Sequence, residues 1–322
     1  MPEEKKATQI KALFMGTGSF AGTILSALLE EKYNIVGVFT KPDKTIHKNS
    51  GPKENEIKEI ALKNNIAIYQ PEKLDADIIS QIKNIAPDLI IIVSYGKIIP
   101  REIIDLPRFG CVNVHPSLLP KFRGPSPIQN ALLVGEKETG TTVMLIDEKM
   151  DTGDILSQKK YKIDPDDTYQ ELSEKLAILS SDLLLETLPL WIEGKIKPLH
   201  QDDSKASLCQ LIDREDGHIA WDTEGEKIYD RYRALSPWPG IFSFWKNGQN
   251  TLRLKLQKIS FRNHNSDSSQ TSGTVFESDG KIAIQTLKGA IILEEVQLEG
   301  KKPADIKNFI NGYPKFIGSI LQ

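Results

Sequence analysis

The fold of this chain is indicated first by residues 10–21, which read Ile10-Lys-Ala-Leu-Phe-Met-Gly-Thr-Gly-Ser-Phe-Ala21. Ile10 to Met15 form a largely apolar run of strand length, and the glycine turn after it leads into a helical pattern from Thr23 to Glu31. A strand, a glycine turn and a helix in this order are typical of the start of an α/β domain. The turn also matches the Gly-x-Gly-x-x-Ala fingerprint of dinucleotide-binding domains, in which Asp43 would bind a ribose. A turn that only connects a strand to a helix fits the same residues.

Strands and helices continue to alternate as far as Gly194. The most apolar of the later strand candidates, Asp88 to Gly96, is a continuous run of the kind found in strands that are buried on both faces of a parallel sheet. Helical patterns cover, among others, Ala76 to Ile85 and Thr168 to Gly194, the latter as one long helix or two. The sequence therefore predicts an N-terminal α/β domain over residues 1–194.

The character of the chain changes after Gly194. Residues 195–207 are polar and are predicted to be a linker. Residues 208–322 then contain several short alternating segments separated by turn residues, among them Thr251 to Ile259 and Ala290 to Val296. Short strands at this spacing favour a small β-barrel as the C-terminal domain.

Composition excludes several classes of protein. The formal net charge of −3 argues against a surface that coats nucleic acid along its whole length. No segment approaches the roughly 20 apolar residues that span a bilayer, and the N-terminus lacks the apolar region of a secretory signal. The two cysteines, Cys111 and Cys209, are too few for a disulfide framework and have no metal-binding spacing. We expect a cytoplasmic protein without a metal, with both cysteines buried.

Polar residues of catalytic types lie in and after two predicted strands. In the segment Gly110 to Gly124, side-chain alternation places Asn113 and His115 on one face of a strand that ends at Pro116. If the turn that contains Asp151 lies beside this strand in the same sheet, the carboxyl ends of the strands bring the three residues together. No serine or cysteine nucleophile accompanies them, which favours direct transfer to an external nucleophile. Asn113 would stabilise an oxyanion, His115 would move protons and Asp151 would orient the ring.

The sequence resembles the methionyl-tRNA formyltransferases, the tRNA-directed branch of the folate-dependent formyltransferases. The resemblance covers nearly the whole chain and rests on the following segments, in chain order: Phe14 to Ala21, Val38 to Asp43, Val93 to Gly96, Asn113 to Pro120, Arg123 to Gln129, Gly140 to Val143, Asp151 to Ile155 and Ser236 to Pro239. In the family a proline usually stands at the position of Gly18, and its replacement here creates the dinucleotide-like spacing.

The resemblance implies a Rossmann-like formyltransferase domain followed by an OB-like tRNA-binding domain. It implies 10-formyltetrahydrofolate as co-substrate, initiator methionyl-tRNA as acceptor, no metal, and Asn113, His115 and Asp151 as the catalytic group. The implied folate-binding residues are Val93, Tyr95, Gly96, Ser117, Leu118, Leu119 and Pro120. The loop of residues 41–53 would contact tRNA through Lys41, Lys44, Lys48 and Lys53. We expect a monomer, because the sequence shows no interface signal.

Other interpretations fit parts of the pattern. The same chemistry could serve another acceptor, either an amino-sugar nucleotide or water in a formyl-folate hydrolase. The glycine turn alone would fit a nicotinamide-dependent oxidoreductase. A tRNA-binding scaffold without catalysis is the non-enzymatic alternative, and the presence of Asn113, His115 and Asp151 speaks against it.

Overall fold

The computed structural model of this protein describes residues 7–43, 55–263 and 270–322. The chain divides into two compact units and passes between them more than once. Unit 1 comprises the described residues up to Pro127, with Glu138–Ile163 and Ser173–Gln210. Unit 2 comprises Ile128–Lys137, Asp164–Leu172 and the described residues from Leu211 to Gln322. Residues 195–207, predicted as a linker, fall within unit 1, and the division at residues 194 and 208 stays a prediction.

Unit 1 is built on a single mixed sheet. Its strands are β1 (Ala12–Gly16), β2 (Ile35–Phe39), β3 (Ile68–Tyr69), β4 (Leu89–Val93), β5 (Cys111–His115), β6 (Glu138–Leu145) and β7 (Ile155–Lys162). They form seven strands in the order β3-β2-β1-β4-β5-β6-β7. Strands β1 to β5 pair in parallel, whereas β6 is antiparallel to β5 and β7 is antiparallel to β6. The prediction of an α/β domain with a parallel sheet is confirmed, and its edge adds two antiparallel strands.

The helices follow the predicted order with some shifted ends, except the last one, which was not predicted. They are α1 (Ser19–Glu30), α2 (Glu56–Lys63), α3 (Ala76–Ile85), α4 (Arg101–Ile104), α5 (Pro127–Leu133), α6 (Tyr169–Ile192), α7 (Gly225–Leu235) and α8 (Ile306–Gly312). α1 begins at Ser19 rather than at the predicted Thr23, because Phe20 and Ala21 are buried and their packing stabilises an extra turn. The pattern from Thr168 to Gly194 forms the single helix α6.

A buried apolar cluster fixes the sheet beside the site. Leu13 and Met15 of β1, Phe39 of β2 and Ile90 and Ile92 of β4 belong to this cluster. Each fully buried side chain of this kind contributes about 1.5–3 kcal/mol relative to an exposed one. The strands therefore end at a rigid edge, and the polar residues that follow them are held in fixed positions.

Unit 2 contains a curled antiparallel sheet. Its strands are β8 (Ile241–Asn247), β9 (Asn250–Arg262), β10 (Val275–Ser278), β11 (Lys281–Gln285), β12 (Ala290–Leu298) and β13 (Ala304–Asp305). The order is β10-β11-β12-β9-β8, with β13 paired to β12. Gln322 bonds to Phe244 next to one edge of the sheet, and Leu321 donates to the carbonyl of Gly273 near the other, at 2.9 Å. This half-barrel confirms the prediction of a small OB-like domain after the α/β domain.

Within the described ranges, no helix combines the length and the apolar character needed to cross a membrane.

Candidate active site

Strand β5 places Asn113 and His115 side by side near the carboxyl end of the parallel strands. Asn113 lies beside Ile92 of β4 and Met144 of β6, so the backbone around it is held from both sides. Both polar side chains are buried, at 9% and 5% exposure. Val112 and Val114 alternate with them and face the other side of the sheet. The sequence predicted this arrangement, because alternation along a strand is a local property.

The imidazole of His115 has a different neighbour at each nitrogen. Nε2 lies 2.9 Å from the carbonyl oxygen of Phe122, and Nδ1 lies 3.7 Å from Oδ2 of Asp151. A carbonyl oxygen can only accept a hydrogen bond, so the neutral ring carries its proton on Nε2. Nδ1 then has a free lone pair and can take up a second proton, and the nearby carboxylate stabilises the positive charge that results.

Asp151 reaches His115 through a turn that folds back over the sheet. Because β6 runs antiparallel to β5, the end of β6 lies beside the start of β5, with Leu145 paired to Val112. The sequence prediction that neighbouring carboxyl ends bring the residues together was therefore wrong in its geometry. Instead, residues 146–154 turn back, and the amide of Leu145 donates to the carbonyl of Asp154 at 2.9 Å.

The backbone of Asp151 adopts the left-handed conformation, with φ of 55°. Asp tolerates this region better than most residues do, because its short side chain bonds locally. Its carboxylate also has a specific partner, since the amide of Gly124 donates to Oδ2 at 2.7 Å. The carboxylate thus lies between an amide N–H and the imidazole.

The carboxamide of Asn113 makes no hydrogen bond within residues 7–43, 55–263 and 270–322. The residue is 9% exposed, and its amide is not one of the fully enclosed side-chain groups that lack a partner, so solvent or a ligand can reach it. The amide is therefore available to donate to a substrate oxygen.

Four residues at this site were not assigned a role from the sequence. They are Phe122 and Gly124, which contribute a backbone carbonyl and a backbone amide, and Arg123 and Gln201, which are buried and bonded to each other. A backbone contribution leaves no signal in side-chain identity. Gln201 lies in a polar segment that reads as a solvated linker, and only the folded chain shows that it is 3% exposed.

The predicted folate segment Ser117 to Pro120 follows β5 directly. The hydroxyl of Ser117 is buried and donates to the carbonyl of Lys121 at 2.7 Å, so its donor is already used. The amide of Leu119 donates to Oγ1 of Thr142 at 3.2 Å. Leu118 and Pro120 are partly exposed. The segment is thus anchored to β6, and its free surface is mainly apolar.

The other predicted folate segment, Val93 to Gly96, lies at the end of β4 and contacts Lys41, which was predicted to bind tRNA. Val93 and Tyr95 are buried in the core, and burial raises the pKa of the Tyr95 hydroxyl to about 12. Gly96 is exposed, so a ligand here would contact mainly backbone. The ammonium of Lys41 lies against Gly96, 2.7 Å from where a Cβ would stand. Burial, and then the charge of Lys41, lower the pKa of Lys97.

The remaining predicted tRNA contacts, Lys44, Lys48 and Lys53, lie outside the described residues.

A cavity of about 570 Å³ adjoins the turn that carries Asp151. Its walls include Ile104, Ile146, Asp147 and Thr152, and none of the predicted folate residues. The size is in the usual range for small-molecule sites, but most of the lining residues are charged or polar, among them Arg101, Asp105 and Glu148. Oγ1 of Thr152 donates to the carboxylate of Asp147 at 2.7 Å, which holds this part of the turn in place.

The arrangement can support addition of a nucleophile to a carbonyl. A buried carboxamide with a free donor suits a developing oxyanion, and an imidazole with a free Nδ1 suits proton transfer. The carboxylate of Asp151 suits the stabilisation of an imidazolium. Ser117 and Cys209 lie beside these groups, but neither is poised as a nucleophile. The Ser117 hydroxyl donates to the carbonyl of Lys121, the Cys209 thiol donates to the carbonyl of Arg123 at 3.3 Å, and burial raises the pKa of this thiol.

Comparison with known families gives matches along most of the chain. Residues 9–188 match the family described as "Formyl transferase", and residues 211–314 match "Formyl transferase, C-terminal domain". The methionyl-tRNA formyltransferase of Caldicellulosiruptor saccharolyticus is 40% identical over 96% of this chain and 99% of its own length. That of Dictyoglomus thermophilum is 41% identical over 96% and 99%.

Solved structures share the fold at lower identity. WlaRD, a sugar 3N-formyl transferase determined in the presence of dTDP and 5-N-formyl-THF, aligns over 91% of this chain and 99% of its own, with a TM-score of 0.63 and 22% identity. HypX from Aquifex aeolicus in complex with tetrahydrofolic acid aligns over 96% of this chain and 48% of its own, with a TM-score of 0.63 and 17% identity. At these identities the likeness concerns the fold alone.

Proposed function

Because the chain belongs to the methionyl-tRNA formyltransferase family, we propose that it passes a formyl group from 10-formyltetrahydrofolate to the α-amine of methionyl initiator tRNA. The observation that carries the proposal is the group formed by Asn113, His115 and Asp151, in which Nδ1 of His115 lies 3.7 Å from the Asp151 carboxylate. The family relation supplies the identity of the two substrates, and the geometry supplies the roles of the residues.

The reaction requires one bond to form and one to break. The methionyl nitrogen attacks the formyl carbon, and the carbonyl oxygen becomes an oxyanion that accepts a hydrogen bond from the Asn113 amide. The attacking amine loses a proton, which Nδ1 of His115 takes up while Asp151 stabilises the imidazolium. The bond between the formyl carbon and N10 of the folate then breaks, and N10 receives the proton that the imidazolium of His115 gives back. The products are formyl-methionyl-tRNA and tetrahydrofolate.

The residues around the site fit a folate co-substrate. The Asn113 carboxamide has a donor that no described residue uses. The segments Ser117 to Pro120 and Val93 to Gly96 remain our candidates for folate contacts, through apolar surface and backbone. Lys41, Lys44, Lys48 and Lys53 remain candidates for tRNA contacts.

The test is a formylation assay with labelled 10-formyltetrahydrofolate. We expect label on the α-amine of initiator methionyl-tRNA and much less on elongator methionyl-tRNA. Amino-sugar nucleotides and a reaction without acceptor serve as controls, and label on a sugar nucleotide or release of free formate at a comparable rate would contradict the proposal. Folate binding without any transfer to tRNA would contradict it as well.

We also propose a monomer in the cytoplasm, as suits an enzyme that acts on tRNA before translation starts. Light scattering after gel filtration should give the mass of one chain, 36.1 kDa. A stable dimer at micromolar concentration would contradict the monomer.

A further inference from the structure

We propose that Gln201 is a positioning residue for the carboxylate of Asp151, held in its own orientation by Arg123. The inference deepens the proposed function, because it rests on the role of Asp151 in formyl transfer. It concerns a segment that the sequence presents as a polar linker, and it makes that segment part of the machinery that shapes the site.

The side-chain amide of Gln201 bonds to the turn at two points, at Asp151 and at Gly153. Nε2 donates to the carbonyl of Asp151 at 2.9 Å and to the carbonyl of Gly153 at 2.7 Å. Both hydrogens of the amide are therefore used on the backbone of one turn. Because the left-handed backbone of Asp151 is uncommon for a residue with a side chain, the turn needs support from outside itself to persist.

Arg123 determines which way the amide of Gln201 faces. Its Nε and Nη2 both donate to Oε1 of Gln201, at 3.0 and 2.8 Å. A reversed amide would place its NH2 group against the guanidinium donors and its oxygen against two carbonyl oxygens. The observed orientation satisfies all four contacts. Arg123 and Gln201 are both buried, so water does not replace these bonds easily.

Ser207, close to Gln201 in the sequence, also holds the backbone of Phe122, whose carbonyl contacts the His115 ring. Oγ of Ser207 accepts from the amide of Phe122 at 2.9 Å, and the carbonyl of Ser207 accepts from the amide of Arg123 at 2.8 Å. Phe122 provides the carbonyl that faces Nε2 of His115, and Gly124 provides the amide that binds the Asp151 carboxylate. Residues 201–207 thus bind the backbone on both sides of the imidazole–carboxylate pair.

The consequence is a specific loss when the amide of Gln201 is altered. In Gln201→Glu, which has the same shape, an oxygen replaces the nitrogen that faces the carbonyls of Asp151 and Gly153. The two hydrogen bonds to these carbonyls are lost, and the new oxygen repels both carbonyl oxygens. The turn therefore shifts, and the carboxylate of Asp151 leaves its position beside His115. A misplacement of about 1 Å at a reacting centre costs up to about 100-fold in rate.

The experiment is a double-mutant cycle of Gln201→Glu with Asp151→Asn in the full-length enzyme, measured by formylation of initiator methionyl-tRNA. We expect Gln201→Glu to lower kcat by about 10- to 100-fold with little change in either KM. We also expect the double variant to be no slower than Asp151→Asn alone, because a displaced carboxylate and a missing one have the same consequence.

The matched control is Gln285→Glu in unit 2. The Gln285 amide is also buried and also donates to backbone carbonyls, those of Thr286 and Gly289. This variant should lose stability, and its effect on kcat, if any, should multiply with that of Asp151→Asn. If Gln201→Glu does not fold, Gln201→Asn, which is too short to reach both carbonyls, replaces it in the cycle.

Parental kcat in the Gln201 variants, or losses that multiply in the cycle, would refute the positioning role while leaving the function intact. A parental rate in Asp151→Asn would instead refute both the proposed role of Asp151 and the positioning of it.

Discussion

At the scale of single residues, Asn113 shows how burial and function interact. Its carboxamide is buried and makes no hydrogen bond within the described part of the chain. The amide is not fully enclosed, so a ligand can reach it. The donor is therefore expected to find its partner in the transition state, where the formyl oxygen carries charge.

Replacing Asn113 with Ala should lower kcat by about 100-fold or more, because one oxyanion donor is removed. Binding of tRNA should change little, and the free energy of unfolding should change little, since the removed amide makes no hydrogen bond to the described residues. The measurement is steady-state formylation with a binding assay in parallel. Asn64→Ala, at the exposed end of α2, is the control, and a parental rate in Asn113→Ala would overturn the assigned role.

Asp43 shows a charge effect beside α2, through its contact with Lys58. Hydrogen bonds from Lys58, at 2.6 Å, and from Gln70, at 3.0 Å, lower the pKa of its carboxyl group. A carboxyl group whose pKa is lower in the folded state stabilises the fold above its unfolded pKa, about 3.9 for Asp. That contribution is lost as the pH falls through the folded pKa.

Asp43→Asn should therefore lower the melting temperature at pH 7, and the difference from the parent should shrink as the pH is lowered below about 4. Thermal unfolding across this pH range provides the measurement. A difference that stays constant with pH would show that the ionised state of Asp43 contributes nothing.

At the scale of elements, the turn between β6 and β7 decides where the carboxylate lies. Gly153 passes so close to β6 that a Cβ would lie 1.9 Å from the carbonyl oxygen of Leu145. Only a glycine lets the turn close in this way. The antiparallel entry of β6 and this close approach together bring Asp151 to the imidazole.

Gly153→Ala should therefore open the turn, lowering both the melting temperature and kcat, the latter by about tenfold or more through displacement of Asp151. Gly312→Ala in α8, where a Cβ meets nothing within 4 Å, is the control and should be neutral or slightly stabilising. The measurements are the melting temperature and the formylation rate of both variants. Equal values for the two variants would contradict the claim that a Cβ at position 153 displaces the turn.

At the scale of the whole molecule, unit 2 is completed by residues distant in the sequence. The side chain of Leu321 is 3% exposed, and residues 320–322 pair with Trp245 of β8 on one side and with Thr274 on the other. The curled sheet is thereby connected across its open side. The stability of unit 2 therefore depends on contacts that the last residues of the sequence make with strands far from them in the chain.

Leu321→Ala should lower the free energy of unfolding by about 2–5 kcal/mol, the usual cost of a buried leucine. Ile320→Ala removes a neighbouring side chain that is 51% exposed and should cost much less. Urea unfolding followed by tryptophan fluorescence compares them, and similar midpoints for the two variants would argue against closure by this segment.

The sequence by itself determined the order of strands and helices, the shared face of Asn113 and His115, and the family. These depend on local periodicity and on residues in one continuous segment, which covalent geometry fixes. Only the tertiary structure decided that β6 runs antiparallel and that Asp151 reaches His115 by a folded-back turn. It also decided that Gln201, in a segment that reads as a solvated linker, lies buried against that turn. Such contacts join residues far apart in the chain, 50 positions in the case of Gln201 and Asp151, and they form only when packing outweighs the entropy of closing the chain.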